Sequence, residues 1–249
     1  MNTTKMENTK HRLTIRIGHN SLAFAAGAAF EPYTLKSKMS MAANLREAFQ
    51  QNTLPAQDFQ GARVLVDSPA LMVPLREFEE QQAATLFQQT HGHHAELHEQ
   101  ATVMHNVMDS LNAVVVYQLN SDLRLVIEDH FENVSYEHLM QDVWTQSYQQ
   151  NRHGKRNRLF AHLHDKRLEA FCFDANRFRF CNSFEINDNR DAAYFLLAVW
   201  KQLAFDSQSD EIYLSFDPVQ SAMAEMQHER QSLADTLRRY VKNVHLPED

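Results

Sequence analysis

Five histidines, His91, His93, His94, His98 and His105, fall within fifteen residues of a 249-residue chain. His94 and His98 are spaced i, i+4, which on a helix puts both imidazoles on one face, as a zinc site requires. Glu96 and Glu99 lie close by, but Ala95 follows His94, so the metalloprotease pattern His-Glu-x-x-His is absent. The stretch from His91 to His105 therefore reads in two ways. It is a candidate metal site at His94 and His98, or a polar connection whose imidazoles collect metal adventitiously. Two further stretches could hold an anion. Arg16-Ile17-Gly18-His19-Asn20-Ser21 joins a cation and polar side chains to a glycine that lets backbone N–H groups approach a ligand. His162-Leu163-His164-Asp165-Lys166-Arg167 offers imidazoles, a carboxylate and cations. His162 and His164 are two apart and so share a strand face, where with Asp165 they could seed a metal or acid–base site. Nucleophilic chemistry has less support. Cys172 and Cys181 are expected diagonally on neighbouring strands, too far apart for a relaxed disulfide, and read as small core or interface residues. Ser68 sits between Asp67 and Pro69, outside any Gly-x-Ser-x-Gly elbow.

Both turns lie inside one pattern that occurs once in each half. Leu13, Ile15 and Ile17 alternate with polar residues, Gly18-His19-Asn20 turns the chain, and Leu22, Phe24 and Ala26 resume the alternation. A third strand is expected over 33–37, then a helix capped by Ser40 with Leu45, Ala48 and Phe49 on one face. Arg63–Asp67 reads as a buried strand, followed by a helix over 75–89 and strands at 101–108 and 113–119. Helices are expected after Asn120 or Ser121 and over 138–150. Residues 151–157 are polar and basic and serve as the expected linker. The pattern then restarts with strands at 159–163, 168–173 and 178–184. A helix opened by Asp188 or Asn189, a strand at 212–214 and a last helix follow. The expected organisation is a flexible 1–11, a first lobe 12–150 and a second lobe 157–249.

Three antiparallel strands, then helix, strand and helix, resemble a ribonuclease-H-like unit. Two such units resemble the actin and hexokinase architecture, with a spacing most similar to the pilus-assembly ATPases. The resemblance implies an α/β fold of duplicated ribonuclease-H-like units, the actin-like ATPase architecture. In that superfamily each half wraps the phosphates with a turn, usually Asp-x-Gly followed by small polar residues, and an apolar strand ending in paired glycines contacts adenosine. Here Arg16 stands where the first aspartate would be. The second turn has Asp165 but no glycine, and Leu214-Ser215-Phe216-Asp217-Pro218 replaces the glycine pair. The chain has 5 glycines, none close enough to another to build a P-loop or GxGxxG turn. The resemblance thus implies a pseudo-ATPase. Its interlobe cleft would be lined by Arg16, Gly18, His19, Asn20, Ser21, His164, Asp165, Lys166 and Arg167. Asn182-Ser183-Phe184, Asp191–Leu197, Trp200–Leu203, Ala70–Phe78 and the hairpin from Leu13 to Phe24 resemble more closely an uncharacterised Bacteroidetes domain-of-unknown-function family, number three-eight-two-two. That family implies the actin-like fold and no established activity.

Bulk properties narrow the partners. A formal charge of -8 and a pI near 5.9 argue against non-specific nucleic-acid binding. Two cysteines suit a reducing cytosol, and no apolar leader or bilayer-length apolar run is visible, so a cytoplasmic protein without membrane insertion is expected. Phe171, Phe173, Phe178 and Phe180 cluster in one hairpin, and alternation along its strands would turn some outward as a partner surface. The expected function is that of an interaction or scaffold protein without nucleotide hydrolysis, cofactor or enzymatic activity, bound to a protein partner or to its own copies. The alternatives are a binder of a phosphorylated or anionic small molecule in the cleft, and a metal-dependent activity at His91–His105.

Overall fold

A computed structural model of the chain describes residues 12–92, 101–152, 156–175, 177–217 and 224–247, with side chains of the last segment described from 227. It divides into two compact units. The first holds the described residues up to Met108 together with Val114–Gln141, and the second holds Asp109–Ala113 and the described residues from Asp142 onward.

In the first unit the alternation of Leu13, Ile15 and Ile17 makes β1 (Arg12–Ile17), with those three side chains buried. β2 (Leu22–Ala26) returns antiparallel, and β3 (Ala29–Tyr33) pairs with β2 in turn. The third strand expected over 33–37 therefore begins earlier. Gly27, at φ +59, takes the left-handed conformation that lets the chain reverse within two residues. α1 (Met41–Gln51) opens on Ser40, whose side chain accepts the Ala43 N–H at 3.2 Å, and buries Leu45, Ala48 and Phe49. β4 (Gly61–Val66) lies parallel to β1. Gly61 is required there, because a Cβ would collide with the Asn133 carbonyl.

A small layer is inserted next. β5 (Ala70–Pro74), α2 (Glu80–His91), β6 (Ala101–Met108) and β7 (Ala113–Asn120) build a three-stranded sheet in the order β5-β7-β6. Its core is Val73, Ala83, Phe87, Val114 and Val116. The helix expected over 75–89 starts only at Glu80, since a 3-10 turn, Leu75–Glu77, follows Pro74 and ends at Phe78. Asn120 caps α3 (Ser121–Glu128) by accepting the Asp122 and Leu123 N–H groups. β8 (Val134–His138) then pairs parallel with β4, where the sequence pattern places no strand. Val134 to Glu137 are all half-buried, so no alternation marks them. The first sheet runs β3-β2-β1-β4-β8. α4 (Gln141–Asn151) follows, three residues later than the helix expected from 138.

The second unit repeats the order without the inserted layer. β9 (Arg158–His164), β10 (Arg167–Asp174) and β11 (Arg177–Glu185) are antiparallel. α5 (Asn189–Gln202) opens on Asp188, which accepts the Arg190 and Asp191 N–H groups. β12 (Glu211–Phe216), α6 (Ala224–Arg238) and β13 (Asn243–His245) complete a sheet in the order β11-β10-β9-β12-β13. Leu159, Ala161, Leu168, Ala170, Leu196, Trp200, Ile212, Leu214, Leu233 and Leu237 form its core. Among the described residues no helix is long and apolar enough to cross a membrane.

Candidate functional site

The first turn spans Gly18 to Ser21 and is closed by Gly18 N–H donating to Ser21 O at 2.9 Å. Gly18 is buried, His19 and Asn20 are exposed, and Arg16 and Ser21 are half-buried. Asp67 follows β4, where its N–H donates to Ile17 O at 2.8 Å and its Oδ2 accepts the His19 N–H at 3.2 Å. The carboxylate thus holds one amide of the turn. Sequence reading missed Asp67 because it reads as the last residue of the strand 63–67. Its signal is topological, since the carboxyl end of a parallel strand beside a hairpin is where α/β sheets hold ligands. The second unit repeats the placement. Asp217 follows β12, its N–H donates to Leu163 O at 3.0 Å, and it is fully buried.

The second turn is tighter. β9 ends at His164 and β10 starts at Arg167, leaving only Asp165 and Lys166, at φ +42 and +61, as the loop. Two successive positive φ values mark a type I′ hairpin, unusual without glycine or asparagine at both central positions. Lys166 is exposed, whereas His164, Asp165 and Arg167 are buried. On the sheet face shared with His164, a polar row crosses four strands. Ser215, His162, Glu169 and Ser183 stand in register on β12, β9, β10 and β11. His162 Nδ1 lies 2.9 Å from Ser215 Oγ, Ser183 Oγ donates to Glu169 at 2.6 Å, and Glu169 lies 3.5 Å from His164 Nε2. Buried polar groups satisfied in this way specify packing. His162 and His164 are joined to neighbours on their own sheet.

Of the four hairpin phenylalanines expected at a partner surface, Phe171 is buried, and Phe173, Phe178 and Phe180 are half-buried. Phe171 is fully buried, stacked on Phe160 with centroids 5.6 Å apart. Tyr148 and Trp144 of α4 contact Phe173 and Phe178 at 5.5 and 5.9 Å. Phe180 packs on the opposite face against the core. Alternation fails as a guide because both faces of β10 are covered, as its near-continuous burial shows. Cys172 and Cys181 are free thiols on opposite faces of neighbouring strands. Burial pushes Cys172 up to about 11. The Cys181 thiol is pushed well above its usual range by burial and then by Glu169, so neither is poised as a thiolate nucleophile.

Of the histidine cluster, His93, His94 and His98 lie outside the described residues. His91 packs on Phe87 at 4.8 Å and His105 on Phe78 at 4.9 Å, both beside the small core. His138, not singled out by sequence, is buried with Nε2 2.9 Å from Ser68 O and Nδ1 accepting the Met140 N–H at 3.2 Å. That pair of bonds requires the neutral Nε2–H tautomer.

Residues 1–244 match the family described as Protein of unknown function (DUF3822), and the chain belongs to it. It is similar to a Bacteroides thetaiotaomicron protein of actin-like ATPase fold and unknown function, with 21% identity and a TM-score of 0.81 over 99% of this chain and 93% of that one. It is also similar to the PilM-PilN type IV pilus biogenesis complex, with 9% identity and a TM-score of 0.59 over 96% and 88%. The fold is the actin-like ATPase fold. No curated protein matches the sequence significantly.

Proposed function

We propose that this member of the family is an interaction protein that keeps the actin-like architecture without nucleotide hydrolysis. The observation that carries the reading is the Asp67 carboxylate on the His19 amide at 3.2 Å. An amide held by the chain's own carboxylate is closed to a phosphate oxygen, and the negative charge opposes one. Three features support it. Arg16 takes the place of the Mg²⁺-organising aspartate, the second turn has only two residues to wrap a ligand, and Phe216 and Asp217 stand where paired glycines would admit adenosine. The likeness to PilM in its complex with PilN favours a protein partner, by analogy of fold alone. Two free thiols favour the cytoplasm.

The test is hydrolysis of Mg·ATP by the purified chain, with thermal shifts in ATP, GTP and inorganic phosphate. The expected result is neither turnover nor shift. A specific ligand near one hundred times its Kd would add about 2.7 kcal/mol of stability. Turnover abolished by changes in 16–21 or 162–167 ends the proposal. A shift with phosphate alone, lost in Lys166→Ala, favours an anion-binding protein instead.

A further inference from the structure

Four strands end the two five-stranded sheets, and three of those edges are closed. β3 is 5 residues long and contains Pro32, which has no N–H to offer. Along β8 lies the Asn106 amide, donating to Tyr136 O at 2.9 Å and accepting the His138 N–H at 3.1 Å. β13 has 3 residues, and Arg238 donates to its Val244 carbonyl at 3.1 Å. β11 differs. It runs 9 residues, pairs with β10 on one side, and has no strand on the other among the described residues.

The register says which groups face out. Ile186 N–H donates to Lys166 O at 2.9 Å, and antiparallel pairs alternate between bonded and non-bonded. Phe180, Asn182 and Phe184 therefore turn their backbone toward β10, and Cys181, Ser183 and Glu185 turn theirs outward. Cys172 pairs with Phe180 and Phe173 with Phe178, so Arg179 is the extra residue of a bulge that ends the regular run. One outward donor, Ser183 N–H, is held locally by Asn182 Oδ1 at 3.0 Å, a contact that an incoming carbonyl can replace.

Beside this edge lies the flank of α5. Phe184 stacks on Phe195 at 4.6 Å, Tyr194 meets Phe195 at 5.4 Å, and Tyr194 is 69% exposed. Phe180 and Phe184 are only half-buried at the margin of the core. Charge is split along the strand, with exposed Arg177 and Arg179 at one end and exposed Glu185 at the other. We infer that the β11 edge and the flank of α5 form a docking site for an extended peptide of a partner protein, which adds a strand to the second sheet. The inference rests on the interaction reading above and names its site. The peptide carries apolar residues at alternate positions over Phe180, Phe184 and Tyr194, an acidic residue beside Arg177 and Arg179, and a basic one beside Glu185. A second copy fits less well. Self-pairing about Cys181 brings Arg177 opposite Glu185 but only by setting the bulged Arg179 against Ser183, which breaks the register between them, and self-pairing about Ser183 leaves no cation opposite Glu185.

The test selects a phage-displayed library of linear peptides, about twelve residues long, on the full chain. The winning peptide is then synthesised and followed by amide hydrogen exchange. The expected result is an acidic–apolar–basic consensus that slows exchange at Cys181 and Glu185. Arg177→Glu should weaken it by about tenfold, and a peptide with its acidic residue changed to lysine should restore the loss. A footprint elsewhere overturns this site and leaves the interaction reading standing. Failure to select any peptide overturns the site, and so does protection of β11 that grows with protein concentration alone, which would put a second copy on the edge.

Discussion

β1 and β2 are joined by four residues, Gly18 to Ser21, and that turn draws Asp67 onto its His19 amide. β9 and β10 are joined by two, Asp165 and Lys166, both at positive φ. The surrounding sheets have the same strand order, each with an aspartate at the carboxyl end of its central parallel strand. One unit therefore has a four-residue turn whose His19 amide is taken by its own carboxylate, while the other has a two-residue turn. On the reading proposed above, the two turns would be closed to a phosphate for different structural reasons. The edges differ as well, since β3 and β8 of the first sheet are closed and β11 of the second is open.

The largest effect expected from this contrast is in the second unit's core. Phe171→Ala should cost about 3–5 kcal/mol in denaturant unfolding, because the ring is fully buried. Tyr194→Ala, on the docking flank, should cost at most about 0.5 kcal/mol. Equal costs would erase the distinction between interior hairpin and exposed edge. In the first unit, Gly61→Ala forces a methyl into the Asn133 carbonyl and should cost about 1–3 kcal/mol. A neutral result would mean that β4 and the Asn133 loop can part without loss.

Next in size is a pair of ion pairs that the units share. Arg63 reaches Glu137 across β4 and β8, and Arg158 reaches Glu211 across β9 and β12 at 2.8 Å. Burial pulls the Glu211 carboxyl upward, but the bonds from Arg158 and Tyr213 together outweigh it and leave its pKa below the ordinary value. A carboxyl lowered on folding stabilises above its unfolded pKa, and that contribution is lost as pH falls through the folded value. Glu211→Gln should therefore cost more at pH 7 than near pH 3, by roughly 1 kcal/mol. A pH-independent cost would show that the pair contributes packing alone.

How much of this was readable in advance follows from where each element sits. The hairpins and caps at Ser40, Asn120 and Asp188 were legible because half-buried strands alternate and cap residues act locally. β8 was not, since its half-buried edge positions carry no periodic signal. The interior character of Phe171 was hidden because both faces of β10 are covered, one of them by Phe160 of a neighbouring strand, and such coverage is not visible in the alternation of the hairpin itself. Asp67 and Asp217 were hidden for another reason. Each takes its meaning from a neighbouring strand, Ile17 in one case and Leu163 in the other, and only aligning the two halves of the chain would have paired them.

Asp67→Ala has a modest effect on stability and the sharpest bearing on the contrast between turns. Losing the bond to the His19 amide should by itself cost about 0.5–1.5 kcal/mol. The same change uncovers the His19 N–H beside Gly18 and removes a negative charge, so the four-residue turn regains what a phosphate oxygen needs. Inorganic phosphate at millimolar concentration should then raise the variant's Tm while leaving the native chain unmoved. Lys166→Gly should confer no such response, because relaxing the backbone of a two-residue loop does not lengthen it. If Asp67→Ala stays silent toward phosphate, the carboxylate is not what closes the first turn, and the contrast drawn between the two turns fails.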